Sequence, residues 1–399
     1  MIKVAVMGFG TIGSGVVEVL SINRESIAKR VGDTIDVKYV LDLRDFEGHP
    51  IQKKIVHDYR RIVEDKEVSI VVETMGGVEP AYTFVKAMLE AGKHVATSNK
   101  ALVAEKGAEL LEIAKAHQVN FQFEASVGGG IPIIRPLKSC LTADVIEEIT
   151  GIINGTTNYM LTEMSEKGTN FDDVLKDAQA KGYAEKDPTA DIEGYDAGRK
   201  IAILTSLVAG QQVDFEDIHT EGISHITSTD IKYAKSMGRA IKLLATSKHV
   251  GDGYAAMVAP FLLNSKHPLF SVNGVFNAIF VKGNVLGDAM FYGSGAGKLP
   301  TASAVVADIV EMAKHMDKHI PIEWRREKLE LIDYKDFDNR FFVRANESEE
   351  AVKKVFGEVE FVKAEDVTGE VGFVTSVMPE SEFETRAAKL AVIQKIRVK

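Results

Sequence analysis

Residues 2–13 read IKVAVMGFGTIG, and this stretch decides the fold. Ile2 to Met7 is an apolar run broken by a single lysine, the pattern of a buried strand in a parallel sheet. It leads into Gly8-Phe9-Gly10-Thr11-Ile12-Gly13, a G-x-G-x-x-G turn. Ile12, Val16, Val19 and Leu20 then recur at helical spacing. Strand, glycine turn and helix in this order form the setting of a dinucleotide site. The glycines let the backbone approach a pyrophosphate, and the helix N-terminus stabilises its charge. A tight strand-to-helix turn without a ligand is the plainer alternative.

The second strand is expected at Ile35 to Leu41. Asp42 and Arg44 stand at its end, later than the usual spacing of about 20 residues for a ribose-binding carboxylate. A carboxylate suits a 2′-hydroxyl and a guanidinium a 2′-phosphate, so NAD and NADP both stay open; Arg44 could equally be a surface charge. Further strands are expected at Val68 to Glu73, His94 to Thr97 and Asn120 to Glu124, with helices over Pro80 to Ala91 and Ala104 to His117. Each strand ends in a small or polar loop: Thr74 to Gly77, Thr97 to Lys100, and Ala125 to Gly130. Ligands of open parallel sheets sit beyond such strand ends, so these loops and the glycine turn should line one crevice. Lys100 is the only cation among them, although a helix-start lysine at the surface would read the same.

The 399 residues carry a net charge of −10, and 45% are hydrophobic, enough for two or three cores. The acidity argues against a nucleic-acid footprint, which needs clustered Lys and Arg. A single cysteine, Cys140, excludes an intramolecular disulfide framework and fits a reducing compartment. No apolar run reaches the roughly 20 residues of a membrane span, and no signal peptide opens the chain. A cytoplasmic protein without a membrane partner is expected.

The pattern changes after about Ile131. A strand is expected at Val145 to Ile153, then the turn Asn154-Gly155-Thr156-Thr157-Asn158 and helices over Tyr159 to Lys167 and Phe171 to Lys181. Gly155 and Thr156 stand at a helix start, where they could cap it or bind a carboxylate. Residues 182–200 follow, GYAEKDPTADIEGYDAGRK, with five carboxylates ahead of an apolar helix. Asp196 and Lys200 are four apart and share a helix face. Glu185 and Asp191 come from the loop. Carboxylates hold an amine and an ammonium can protonate a developing alkoxide, so the group could bind and protonate an amino-acid-like substrate. A solvated acidic loop beside an i,i+4 ion pair is the alternative.

Strand runs at Ala255 to Leu263, Phe276 to Lys282 and Asp288 to Tyr292 suggest a mixed sheet with a plausible dimer surface. Gly293-Ser294-Gly295-Ala296-Gly297 then precedes a helix over Thr301 to His315, returning the chain toward the nucleotide. Residues 316–335 read as a linker. From about 338 the order is β-α-β-β-α-β, a split-βαβ module. The expected fold is α/β. It has a Rossmann-type domain over 1–130, completed by about 300–320. A mixed-sheet catalytic and dimerisation domain covers 131–300, and a ferredoxin-like module 338–399.

The turn GFGTIG, the runs TSNKALVA and FEASVGGGIPII, the turn NGTTNY, residues 182–200 and GSGAGKLPTASAVVADI together resemble the homoserine dehydrogenase family over residues 1 to about 320. The tail resembles the ACT-type domain of many bacterial members. The resemblance implies NAD(P)-dependent interconversion of aspartate 4-semialdehyde and homoserine by a homodimer or higher homo-oligomer. It implies that Lys200 is the acid/base and that Lys100 stands at the nicotinamide and substrate. It makes Glu185, Asp191, Asp196, Gly155 and Thr156 substrate residues. Gly8 to Gly13, Arg44, Thr74, Lys100 and Gly297 fall to the cofactor. Glu124, Val127, Gly129 and Ile131 match a sodium site built largely from backbone oxygens. No kinase segment is expected.

The chain departs from the family in three places. Ser294 stands where an arginine is frequent, Asp42 neighbours Arg44, and Ala345-Asn346-Glu347 replaces the acidic-x-Pro-Gly turn of the tail. Two other readings compete. An aspartate-semialdehyde dehydrogenase would need a nucleophilic cysteine, and Cys140 lies outside the expected crevice. A nucleotide-binding sensor would leave Lys100 and Lys200 without a task.

Overall fold

The structure is a computed structural model that describes residues 1–399. Two compact units divide it: Met1–Asp144, Ala202–Phe215 and Gly293–Leu329 form one, and Val145–Ile201, Glu216–Tyr292 and Glu330–Lys399 the other.

The first unit is built on six strands: β1 (Ile2–Met7), β2 (Ile35–Leu41), β3 (Ile55–Val56), β4 (Val68–Glu73), β5 (His94–Thr97) and β6 (Phe121–Gln122). They lie in the order β3-β2-β1-β4-β5-β6, and every pair is parallel. Val4 to Met7 are fully buried, as the apolar run requires. The connecting helices are α1 (Thr11–Ile22), α2 (Arg24–Val31), α3 (Arg60–Glu64), α4 (Ala81–Glu90) and α5 (Lys100–Ala116). The expected strand Asn120 to Glu124 keeps only two residues, because Glu124 turns into a 3-10 helix to reach the loop beyond.

The second unit opens with β7 (Ile146–Ile152), followed by α6 (Gly155–Lys167), α7 (Phe171–Ala180), α8 (Thr189–Ile192) and the start of α9 (Tyr195–Ala209), which belongs to the first unit from Ala202 on. Helix α6 starts at Gly155, four residues earlier than its apolar spacing suggests, because Asn154 caps it by accepting from Thr157 N. Past β8 (Gln211–Gln212), the chain forms β9 (His219–Thr220), α10 (Ser228–Ser236), β10 (Arg239–Val250), β11 (Gly253–Asn264), β12 (Phe276–Gly283) and β13 (Gly287–Ser294). Strand β10 was not expected. Its run from Ile241 to Ser247 is buried without alternation, and periodicity cannot separate such a run from a buried helix.

Residues 316–335 are more than a linker. After α11 (Lys298–Lys314), β14 (Arg325–Lys328) pairs with β8, and Trp324 is buried with its Nε1 donating to Gln212 Oε1 at 3.0 Å.

The tail comprises β15 (Asp338–Ala345), α12 (Glu349–Phe356), β16 (Glu360–Val362), β17 (Val371–Val374), β18 (Met378–Pro379), α13 (Glu380–Ala387) and β19 (Val392–Val398). Its main strands run β19-β15-β17-β16 with antiparallel neighbours, around a core that includes Phe341, Phe356, Phe373 and Phe383. β19 also pairs in parallel with β11, at Phe261↔Arg397 and Leu262↔Val398. The tail sheet therefore continues the mixed sheet of its unit. No helix is long and apolar enough to cross a membrane.

Candidate active site

The first unit carries a pocket of about 540 Å³ lined by Gly8, Phe9, Gly10, Asp42, Arg44, His57, Thr74 and Met75 among others. The glycine turn is shaped by close approaches. A Cβ on Gly13 would lie 1.9 Å from Gly8 O, so that position excludes any side chain. Gly10, by contrast, has nothing within 4 Å of a built Cβ, and it starts α1 without a side-chain cap. The first N–H groups of α1 thus meet an open side, as an anion site requires. Thr74 Oγ1 donates to Gly8 O at 3.0 Å and locks the turn from below.

Asp42 and Arg44 form one group. Arg44 Nε donates to Asp42 Oδ1 at 2.9 Å and Nη2 to Oδ2 at 3.0 Å, while Asp42 Oδ2 also accepts from Phe9 N at 2.8 Å. The Arg44 guanidinium and these amides hold the Asp42 carboxyl well below the usual carboxylate range. Arg44 itself remains largely exposed at the pocket.

Glu73 is a site residue that no local motif marks. Fully buried at the end of β4, it accepts from Thr97 Oγ1 at 2.5 Å and Met75 N at 2.6 Å, tying two crevice loops together. Burial raises its carboxyl, against these hydrogen bonds. Asn99 Nδ2 adds a tie to Gly77 O, and Lys100 is the first residue of α5. Gly297, at φ 113°, starts α11, which packs on α1: a Cβ on Gly15 would come 3.0 Å from Ala302 Cβ. Gly130 N donates to Ser294 O at 3.0 Å, so this loop is held through backbone.

The second unit gathers the other residues around Asn154. As the cap of α6 it aims its Nδ2 at two carboxylates, Asp191 Oδ1 at 2.7 Å and Asp196 Oδ2 at 3.0 Å. Lys200 Nζ lies 2.8 Å from Asp196 Oδ2 and donates to Ile153 O at 2.8 Å. Asp196 and Lys200 are buried, at 3% and 9% exposure, and so form no solvated surface pair. Two of the three ammonium N–H groups are thereby occupied, which leaves one donor for a ligand oxygen. Thr156 Oγ1 donates to Tyr183 O at 2.6 Å, fastening the start of the acidic loop. Gly155 is close-packed, with its Cβ position 3.0 Å from Val275 O. Glu185 lies apart from this group: it is exposed, and its carbonyl accepts from Gln179. The capping role expected of Gly155 and Thr156 falls to Asn154, whose carboxylate partners lie 37 and 42 residues away and leave no local pattern.

The Glu124 carboxylate is spent on backbone, accepting from Ile133 N at 2.6 Å, Ile134 N at 2.8 Å and Arg135 N at 2.7 Å. Cys140 is exposed in a single π-helical turn.

Family models described as "Homoserine dehydrogenase, NAD binding domain" and "Homoserine dehydrogenase" match residues 8–124 and 132–310. The homoserine dehydrogenase of Neisseria gonorrhoeae is 46% identical over 315 residues, 78% of this chain and 72% of that protein. That of Mycobacterium tuberculosis is 39% identical over 379 residues, 93% of this chain and 86% of that protein. Among solved structures, a homoserine dehydrogenase from Thiobacillus denitrificans superposes with a TM-score of 0.91 at 36% identity, covering 100% of this chain and 98% of that one. A hyperthermophilic archaeal homoserine dehydrogenase in complex with NADPH gives 0.66 at 29%, covering 78% of this chain and 97% of that one. With a glycine-turn nucleotide pocket, a buried lysine–carboxylate group and this likeness along the chain, the protein belongs to the homoserine dehydrogenase family and is an NAD(P)-dependent oxidoreductase.

Proposed function

We propose that the chain interconverts aspartate 4-semialdehyde and homoserine with Lys200 as the proton donor. The observation that carries this is the Asn154-centred group, in which a buried lysine lies beside Asp196 with one N–H left over, and Asn154 joins Asp196 to Asp191. In the reducing direction the carbonyl π bond breaks as its carbon gains a hydride and its oxygen a proton. A bound nicotinamide supplies the hydride. Lys200 gives its proton to the oxygen, and Asp196 and Ile153 O hold the ammonium in place for that transfer. Asp191 faces the substrate ammonium, with exposed Glu185 as a second carboxylate on the same loop. The first-turn N–H groups of α6 at Gly155 and Thr156 suit the substrate carboxylate. Lys100, at the head of α5, is the second lysine at the nicotinamide and substrate.

The glycine turn from Gly8 to Gly13 takes the pyrophosphate, with Thr74 and Gly297 supporting it. Arg44 favours NADP: it has already neutralised Asp42 and still presents guanidinium edges to the pocket. A sodium ion at the 124–131 loop would be held by the carbonyl oxygens of Glu124, Val127, Gly129 and Ile131, because the Glu124 carboxylate is already spent. The tail order β-α-β-β-α-β supports an ACT-like reading. β13 ends its sheet and exposes Met290 and Tyr292, which supports a homodimer through that strand.

The test is Lys200→Ala assayed for NADPH-dependent reduction of aspartate 4-semialdehyde. A loss of about 10²- to 10⁴-fold in kcat with cofactor binding retained is expected for a missing general acid. Near-normal turnover would remove the role from Lys200.

A further inference from the structure

Within the second unit, residues 221–230 lie between the acidic loop and the C-terminal tail. On the loop side, Ile223 N donates to Ile192 O at 2.7 Å, one residue past Asp191. The approach there is too close for a side chain, since a Cβ on Gly222 would lie 2.3 Å from Ile192 O and 2.5 Å from Glu193 Cα. Gly194, at φ +83°, packs on side chains, its Cβ position lying 3.0 Å from Thr220 Cγ2 and 3.1 Å from Val258 Cγ1. Loop 189–194 therefore takes its position from the backbone of 220–223.

On the other side that backbone is held by the tail. Arg397, 1% exposed, grips Glu221 with two parallel bonds, Nη1 to Oε2 at 2.9 Å and Nη2 to Oε1 at 2.8 Å. Its Nε donates to Glu380 Oε2 at 2.9 Å, and Lys395 Nζ to Glu380 Oε1 at 2.9 Å, so the fork is anchored within the tail. His219 Nε2 lies 2.7 Å from Glu221 Oε1, and Glu221 N donates to Val258 O at 2.7 Å. Farther along, Arg344 Nη1 donates to Asp230 Oδ1 at 2.6 Å and to Thr227 Oγ1 at 3.1 Å, and Gln394 Nε2 to His225 O at 2.9 Å. Three tail side chains thus grip one short segment whose opposite edge carries the loop of Asp191. Plain docking of a module needs apolar area; it does not need a bidentate, buried arginine aimed at the residue beside that loop.

We propose that Arg397 is a positioning residue for the substrate loop: by fixing Glu221 it holds Gly222 and Ile223 against Ile192 and so sets where Asp191 presents its carboxylate. The C-terminal tail then acts on substrate affinity through one ion pair. This rests on the reading of Asp191 as a substrate residue.

The test uses the full chain and steady-state oxidation of homoserine, with the dissociation constant of NADPH measured separately by fluorescence. Arg397→Met is expected to raise the homoserine KM by about tenfold, the scale of a loop displaced by a fraction of an ångström, with the NADPH constant unchanged. Arg397→Lys keeps the charge, loses the fork and should fall between. Glu221→Gln carries the same expectation as Arg397→Met and serves if that variant does not fold. An unchanged homoserine KM with only a lowered Tm would overturn the proposal. So would a homoserine KM and NADPH constant that rise together, because that is global loosening. Asp191→Asn separates the two readings. If it leaves the homoserine KM unmoved, the substrate reading of the loop has failed. If it raises KM while the Arg397 and Glu221 variants do not, only the positioning role has failed.

Discussion

Arg44 lies two residues beyond Asp42 and binds it through two nitrogens, which turns a pair of opposed sequence signals into one neutral group. A carboxylate that would repel a 2′-phosphate is silenced, and the guanidinium still reaches the pocket. Arg44→Ala removes both effects. It should weaken NADP binding by about tenfold or more, the worth of a charge-assisted hydrogen bond plus the newly exposed Asp42 charge, while NAD binding changes little. Paired titrations with the two cofactors check this, and equal losses for both would contradict it. Asn154 makes the same point about scale. As a residue it is a good helix cap. Its second role, joining Asp191 to Asp196, exists only because α6, α8 and α9 meet at one place.

Between elements, the tie of β19 to the segment after β9 is electrostatic, and its pH response has a definite sign. Burial alone would raise the Glu221 carboxyl, but the hydrogen bonds of His219 and Arg397 and the charges of Arg397 and Lys395 hold it well below the ordinary value of 4.5. A depressed folded-state value contributes stability that is present above the unfolded pKa and lost as pH falls below it. The wild type should therefore melt above Glu221→Gln at neutral pH, and the gap should narrow as pH falls below about 4.5, with part of it still present at pH 3 because the folded-state value lies lower still. A gap of the same size at pH 7 and pH 3 would assign the stability to packing. Lys242 shows the opposite case. It is buried under α6, donating to Val272 O at 2.6 Å, Asn273 Oδ1 at 2.8 Å and Asn158 Oδ1 at 3.1 Å, and burial pulls its ammonium down to about 8. These bonds hold loop 272–276, on which Gly155 is packed. Strand β10, which carries Lys242, escaped the periodicity reading because both its faces are covered.

At the scale of the whole molecule, β13 is the last strand of its sheet, with Met290 45% and Tyr292 53% exposed and Phe276 stacked on Tyr292 at 5.3 Å. An apolar edge of this kind is a template for pairing, and the proposed homodimer would satisfy it. The double substitution Met290→Glu and Tyr292→Glu should shift the protein from dimer to monomer in sedimentation velocity. An unchanged dimer would move the interface elsewhere.

By itself the sequence determined the parallel nucleotide-binding sheet, its glycine turn, the lysine–carboxylate spacing of Asp196 and Lys200 and the family. These features are local: they depend on runs, glycines and i,i+4 neighbours that lie close along the chain. Only the tertiary structure decided that Glu73 is buried between crevice loops, that Asn154 joins the two aspartates, that the Glu124 carboxylate is spent on backbone amides, and that the tail joins β11 and reaches Glu221 through Arg397. Each of these depends on partners brought together from distant positions. The cost of burying a charge is met by whichever donor the fold places beside it, and no local pattern records that choice.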